Sequence, residues 1–220
     1  MIRGLVFDFD GLIVDSERPV YRAWAELYSL YGQELSVDLW KTVIGHAPGF
    51  FDPVAELEQR LGVGLDAQAL RARYRARQLE LMHVEPILPG VREWGEEARA
   101  MGVRLGVASN SSRAWVTGNL ERLGLAGWHC ICCSDDVARP KPAPDVYLAV
   151  VEGLGVDPHE AVAVEDSHSG VRAAKAAGLF CVAVPGSLTP DADYSDADLV
   201  LASLADRTFS EVAALAGAGR

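Results

Sequence analysis

The chain has 220 residues, of which half are hydrophobic and 23% are charged, which suits one globular domain or one domain carrying an insertion. The formal net charge of -11 and the pI of about 4.9 argue against nucleic acid and anionic membrane surfaces as partners. No apolar stretch approaches the ~20 residues that a membrane span needs, and the N-terminus lacks a signal-peptide pattern, so we expect a soluble cytoplasmic protein.

The first predicted element is a strand buried on both faces, because residues 2–7 form a nearly continuous apolar run. The run ends at Asp8, and Asp10 lies two residues further on, so in extended backbone both carboxylates point the same way. Gly11 then permits a sharp turn or a close approach to the backbone. Acidic and glycine residues are also ordinary in turns, and residues 15–16 could simply cap a helix. This stretch alone therefore leaves both interpretations open.

The next seventy or so residues contain no convincing strand and are predicted to be helical. Glycines end two of the segments, and Ser36 is a candidate N-cap. Arginines spaced by two in the last segment spread around the helix, which favours a solvated face over a nucleic-acid site. The predicted helices are 20–31, 36–44, about 50–61 and about 66–83.

Beyond the proline-rich boundary at 86–90, helices and strands alternate. This rhythm predicts an α/β fold: a doubly wound parallel sheet with right-handed crossovers, here with an inserted all-helical cap domain. We predict a core of residues 1–14 and 87–220 and a cap of residues 15–86. The predicted strands are 105–108, 128–134, 161–164, 180–184 and 199–201, and the helices end near Gly102, Gly124, Gly155 and Gly178.

The four cysteines are Cys130, Cys132, Cys133 and Cys181. Alternation along the predicted strand sends Cys133 to the side opposite Cys130 and Cys132, which disfavours a shared zinc ion. We interpret them as buried core thiols in a reducing cytoplasm.

Polar residues follow several predicted strands, and the carboxyl ends of parallel strands meet at one edge of a sheet. Four of these residues are carboxylates, which need a cation if they gather in one place. Mg²⁺ suits such oxygen ligands, and the set supports phosphoryl transfer through an aspartyl-phosphate. The residues are Asp8, Asp10, Ser109, Asn110, Lys141, Glu165 and Asp166.

Residues 8–16, 108–110, 141–145 and 164–167 resemble, in order, the four motifs of the haloacid dehalogenase-like superfamily. More narrowly, the chain resembles the branch with a helical cap inserted after motif one, which holds beta-phosphoglucomutases and many small-molecule phosphatases. The resemblance covers nearly the whole chain. It implies a Mg²⁺-dependent enzyme with a Rossmann-like core.

The resemblance also implies roles for individual residues. Asp8 would attack phosphorus, and Asp10 would protonate the leaving oxygen and later deprotonate the attacking water. Mg²⁺ would be held by the Asp8 carboxylate, the Asp10 backbone carbonyl and Asp166, with Glu165 holding metal-bound waters. The phosphoryl oxygens would be contacted by Lys141, the Ser109 hydroxyl and the Asn110 backbone N–H.

Beta-phosphoglucomutases carry a histidine shortly after motif one and a basic residue in the cap loop, and this chain has neither in residues 17–21 and 45–49. The departures favour hydrolysis by a phosphatase. The resemblance implies a small sugar, polyol or hydroxy-acid phosphate as substrate, and a monomer is the default expectation. A phosphomutase is the alternative, and a non-catalytic binding or regulatory module is a further one. The candidates for substrate contact are His46, Phe50 and Arg113.

Overall fold

The structure is a computed structural model that describes residues 1–44, 50–189 and 193–218. The chain divides into two compact units. One contains residues 1–15, 86–186 and 190–220, and the other contains residues 16–85 and 187–189. The predicted division into a catalytic core of residues 1–14 and 87–220 and a cap of residues 15–86 stays a prediction.

The first unit is built on a six-stranded parallel sheet of order β3-β2-β1-β4-β5-β6. The first strand in the chain lies at its centre, where Leu5 is in register with Leu105 on one side and Val162 on the other. The six strands are β1 (Gly4–Phe7), β2 (Arg104–Ala108), β3 (Cys130–Cys132), β4 (Ala161–Glu165), β5 (Phe180–Ala183) and β6 (Leu199–Val200). The central strands β1 and β4 are buried throughout, and β2 is buried after Arg104, as strands covered on both faces should be.

Helices cover both faces of this sheet, which confirms the predicted doubly wound α/β class. Helices α7 and α8 pack on the face that carries Val6 and Ala163, while α5 lies against Leu105 on the other face. Trp94 of α5 contacts the Phe209 ring at the start of α9, with ring centroids 5.7 Å apart. The helices of this unit are α5 (Val91–Ala100), α6 (Arg113–Arg122), α7 (Asp145–Leu154), α8 (His168–Ala176) and α9 (Phe209–Ala218).

Helix α9 is the element that the sequence analysis missed. A usable signal exists, because Thr208 and Glu211 form the reciprocal pattern of a capping box: Thr208 N–H donates to the Glu211 carboxylate and Glu211 N–H donates to the Thr208 hydroxyl. The apolar residues Phe209, Val212 and Ala216 are then buried at helical spacing. The strand at Cys130 is also shorter than predicted, and the four cysteines are free thiols, of which Cys130 alone is half-buried and the others are buried.

The described residues of the second unit form four helices around an aromatic core. The Trp24 and Tyr74 rings stack with centroids 4.3 Å apart, and the buried Tyr28 hydroxyl donates to the Pro53 carbonyl at 2.6 Å. Ser36 caps its helix by accepting from Leu39 N–H, as predicted. The four helices confirm the predicted ones, although the second is shorter: α1 (Glu17–Leu30), α2 (Val37–Lys41), α3 (Pro53–Leu61) and α4 (Ala67–Val84). Within the described residues, every helix is too short or too polar to span a bilayer.

Candidate active site

The carboxyl ends of β1, β2 and β4 bring the predicted polar residues together. Phe7, the last residue of β1, is in register with Val107 and Val164 on its neighbours. Asp8 follows immediately and its N–H donates to the Val164 carbonyl at 2.9 Å. Because neighbouring parallel strands end at one edge, Asp8 and the ends of β2 and β4 share one site.

Lys141 is the cation at the centre of this site. Its Nζ donates to Asp8 Oδ1 at 2.5 Å, to Glu165 Oε1 at 2.5 Å and to the Ala108 carbonyl at 2.8 Å. An ammonium group has three N–H donors, so all of them are used. The Lys141 side chain is only 3% exposed, and the two carboxylates compensate its burial.

The titration behaviour of Asp8 and Lys141 follows from this burial. Burial raises the pKa of Asp8 to about 8, with a further contribution from Glu165, although Lys141 acts in the opposite direction. Burial alone would lower the pKa of Lys141, but Asp8 and Glu165 together raise it above its ordinary value. Lys141 is therefore a permanent positive charge beside Asp8 at neutral pH.

Glu165 is fully buried, and both of its carboxylate oxygens accept hydrogen bonds. Besides Lys141, the Tyr147 hydroxyl donates to the same Oε1 atom at 2.5 Å, and the Ser167 hydroxyl donates to Oε2 at 3.2 Å. The Lys141 Nζ lies 5.1 Å from the centre of the Tyr147 ring. Tyr147 was not predicted to belong to the site, because a tyrosine among aliphatic residues of a helix is typical of an ordinary core position.

Gly170, in the first turn of α8, makes room for the Glu165 carboxylate, since a Cβ atom at this position would overlap it. We expect Gly170→Ala to lose about 1–3 kcal/mol in free energy of unfolding through overpacking, together with activity. The matched control is Gly118→Ala in α6, where nothing lies near the added Cβ; helix propensity should make it neutral or slightly stabilising. Urea unfolding checks both, and equal stability of the two variants would contradict the close packing around Glu165.

Asp10 is held separately from the Lys141 network. Its Oδ2 accepts a hydrogen bond from the Ser111 hydroxyl at 2.5 Å, and its Oδ1 accepts one from Trp115 Nε1 at 3.0 Å. The chain turns directly after Asp10 at Gly11, which has a φ of 78°. Sequence reasoning found neither Ser111 nor Trp115 as a partner of Asp10.

The predicted phosphate-contacting residues lie next to Lys141. The Asn110 side chain accepts from Lys141 N–H at 2.8 Å and donates to the Lys141 carbonyl at 3.1 Å, which fixes the Lys141 backbone. Ser109 is buried, and its hydroxyl oxygen accepts from Ser111 N–H at 3.0 Å. Their contacts with phosphate stay predictions.

The predicted substrate-contact residues are not gathered in the same way. His46 lies outside the described residues, and Phe50 is 62% exposed in the helical unit. The Arg113 guanidinium pairs with Asp136 at 2.7 Å and donates to the Ile131 carbonyl at 2.8 Å. These two bonds tie Arg113 to the end of β3, so we leave it out of the proposed site.

Three carboxylates could share a metal ion. Oxygens of Asp8, Glu165 and Asp166 all lie within 4.8 Å of one another. Gly11 permits this approach, because a Cβ atom there would overlap the Asp166 carboxylate. With one ammonium among three carboxylates, a bound cation would balance the charge, and an all-oxygen donor set suits a hard divalent ion. The Asp10 carboxylate points to Ser111 and Trp115 instead, so its predicted metal contact would depend on its backbone carbonyl.

Known proteins are similar to this chain in both sequence and fold. The chain is 40% identical over 207 residues to YhcW of Bacillus subtilis (strain 168), which is provisionally named a phosphatase, with 94% of each chain covered. It is 31% identical to the validoxylamine A 7'-phosphate phosphatase of Streptomyces hygroscopicus subsp. limoneus, covering 94% of this chain and 96% of that one.

Solved structures of two proteins extend the likeness. The structure of CbbY from Rhodobacter sphaeroides with phosphate has 31% identity and a TM-score of 0.70, covering 94% of this chain and 96% of CbbY. CbbY has also been solved with xylulose-(1,5)bisphosphate. A Thermotoga maritima protein, provisionally named a beta-phosphoglucomutase, has 25% identity and a TM-score of 0.81, covering 96% of this chain and 98% of that one.

The family-level comparison agrees with the order of the four motifs and with the site that they form. The sequence model of the haloacid dehalogenase-like hydrolases matches residues 2–178, which include every residue of the Lys141 network. The chain therefore belongs to the haloacid dehalogenase-like hydrolases, in the branch that contains the beta-phosphoglucomutase-like and CbbY-like proteins.

Proposed function

We propose that this phosphoric monoester hydrolase releases phosphate from a small sugar, polyol or hydroxy-acid phosphate through an aspartyl-phosphate on Asp8. The observation that carries the proposal is the buried Asp8 carboxylate, bonded to Lys141 and grouped with Glu165 and Asp166. The names of two relatives agree with a small phosphorylated metabolite as substrate, since one is a validoxylamine A 7'-phosphate phosphatase and CbbY has been solved with xylulose-(1,5)bisphosphate.

Asp8 is the nucleophile in this proposal. Lys141 holds Oδ1, which leaves Oδ2 as the oxygen that attacks phosphorus in line. As the Oδ2–P bond forms, the bond from phosphorus to the leaving oxygen breaks, and Asp10 gives that oxygen a proton. In the second half, a water molecule attacks the phosphorus of the aspartyl-phosphate, Asp10 takes the water proton, and Asp8 and inorganic phosphate are released.

The remaining residues stabilise charge on the transferring group. Lys141 places a permanent positive charge beside Asp8, and the Ser109 hydroxyl and the Asn110 N–H donate to phosphoryl oxygens. Asp8, Asp166 and the Asp10 carbonyl would hold Mg²⁺, with Glu165 holding metal-bound waters, and the ion would supply further positive charge at those oxygens. The Asn110 side chain forms two hydrogen bonds with the Lys141 backbone, which fixes the position of Lys141 relative to the phosphate donors.

A metabolite screen tests the proposal. Purified protein is incubated with sugar, polyol and hydroxy-acid phosphates, with Mg²⁺ or with EDTA, and the released phosphate is measured. We expect release from at least one of these esters that stops when the metal is chelated and resumes when Mg²⁺ is restored. Release that persists in EDTA would contradict the metal requirement, and no release from any ester would contradict the hydrolase mechanism.

A phosphomutase is the second candidate, because the fold is similar to that of the Thermotoga maritima protein provisionally named a beta-phosphoglucomutase. Incubation with beta-glucose 1-phosphate and a bisphosphate primer distinguishes the two activities. We expect free phosphate to form faster than glucose 6-phosphate. The reverse order would assign the mutase activity.

Mg²⁺ affinity should depend on pH because Asp8 must lose its proton to bind the ion. With the pKa of Asp8 raised to about 8 by burial, a proton competes with the metal below that pH. We expect the apparent affinity to fall by about tenfold for each pH unit below 8, with close to one proton released per ion bound. Calorimetric titrations in buffers of different ionisation enthalpy measure both quantities. An affinity that is constant between pH 6 and pH 8 would contradict the protonated Asp8.

A further inference from the structure

Both oxygens of the Asp10 carboxylate accept hydrogen bonds from donors in one short segment. Ser111, in the turn after β2, donates its hydroxyl to Oδ2, and Trp115, in the first turn of α6, donates its indole N–H to Oδ1. Neither Ser111 nor Trp115 belongs to the four sequence motifs. Two donors on two different oxygens fix both the position and the rotation of a carboxylate, which one donor cannot do.

Both donors are themselves held in place. Ser111 N–H donates to the Ser109 hydroxyl at 3.0 Å, and the Ser111 carbonyl accepts from the backbone and the hydroxyl of Ser134 at 3.2 and 3.1 Å. Trp115 is half-buried, and its carbonyl accepts from the buried Asn119 amide at 3.0 Å. The backbone of both donor residues is therefore anchored by further hydrogen bonds.

The two donors differ in whether they can also accept a hydrogen bond. An indole N–H can only donate, whereas a hydroxyl can donate or accept. Oδ1 must therefore remain an acceptor as long as Trp115 faces it. When Asp10 carries a proton, the proton has to reside on Oδ2, where the Ser111 hydroxyl can turn to suit it.

We propose that Trp115 is a positioning residue that orients Asp10 and reserves its Oδ2 atom for the proton given to the leaving group. This inference rests on the proposed role of Asp10 in the phosphatase reaction. In that step the Asp8–phosphorus bond forms, the bond to the leaving oxygen breaks, and the proton passes from Asp10 Oδ2 to that oxygen. Trp115 itself neither gains nor loses a proton.

The test compares two leaving groups in Trp115→Phe, which keeps an aromatic ring and removes the N–H donor. Benzyl phosphate releases a basic alkoxide that needs the proton, whereas p-nitrophenyl phosphate releases a stable phenolate that does not. We expect kcat/KM to fall about tenfold or more for benzyl phosphate, as for the loss of one hydrogen bond to a charged group, and much less for p-nitrophenyl phosphate. Ser111→Ala, which removes the other donor, should cause the same selective loss and serves as the second variant if Trp115→Phe does not fold.

Trp128→Phe is the matched control, because Trp128 is also half-buried in this unit but donates its indole N–H to the Leu125 carbonyl at 3.1 Å. It should leave both substrates unaffected. In an Asp10→Asn background, Trp115→Phe should add no further loss on benzyl phosphate, since its effect passes through Asp10. Equal losses on the two substrates, no loss on either, or a further loss in that background would overturn the role of Trp115. Activity that survives in Asp8→Asn would instead overturn the proposed function itself.

Discussion

Asp8→Asn is expected to lose phosphatase activity by about a thousandfold or more, because an amide cannot act as the attacking nucleophile. The fold should survive, since the amide oxygen can still accept the hydrogen bond from Lys141. Burial raises the pKa of Asp8 to about 8, so a neutral side chain carries no penalty at this position in the metal-free protein. Initial rates on the best substrate of the metabolite screen, together with thermal unfolding, measure both effects.

Asp38→Asn is the control for the same chemical change at an exposed position in the first turn of α2. Its rate and its unfolding temperature should stay close to those of the unmodified protein. An Asp8→Asn enzyme that keeps about a tenth of the activity or more would show that another group attacks phosphorus.

Lys141→Met is expected to lose both activity and stability. The substitution leaves Asp8 and the fully buried Glu165 without their cation, and breaking a buried ion pair in this way costs about 3–5 kcal/mol in free energy of unfolding. Burial has already raised the pKa of Asp8 to about 8 in the folded protein, and without Lys141 this pKa should rise further. Above about pH 8 the folded variant therefore holds a proton that the unmodified folded protein has lost, so the deficit should grow as the pH rises through this range.

Lys175→Met provides the matched control, because the Lys175 ammonium also forms an ion pair, with Asp198 at 2.6 Å, but its side chain is 35% exposed. A pair of this kind contributes about 0–1 kcal/mol. Urea unfolding of both variants at pH 7 and pH 9.5 makes the comparison. Equal losses for the two lysines, or a Lys141→Met deficit that does not change with pH, would contradict the buried network.

Much of this fold could be predicted because the ends of the strands are recognisable in the sequence. Apolar runs that stop at Asp8, at Ser109 and near Glu165 define β1, β2 and β4, and parallel topology then gathers the residues that follow. Lys141 was identifiable because it stands in a proline-rich loop directly before a helix. The helical insertion was visible as a long stretch without strand-like alternation.

The missed features depend on tertiary contacts that no local pattern shows. Tyr147 and Trp115 lie on helices, where aromatic residues usually indicate packing, and their polar atoms gain a role only because α7 and α6 bring them to Glu165 and Asp10. Arg113 has contacts that the sequence did not predict, and its role in substrate contact stays a prediction. It stands at a helix start near the site, but Asp136 attracts it to the end of β3, and the sequence gives no sign of that pairing.

The most direct test of the mechanism is the capture of phosphate on Asp8. Enzyme is mixed with substrate and Mg²⁺, quenched in acid within the first turnover, digested and analysed by mass spectrometry. The mechanism predicts one added phosphoryl group on the peptide that contains Asp8, and none in Asp8→Asn. A phosphoryl group on another residue, or turnover with no covalent phosphate at any quench time, would contradict it.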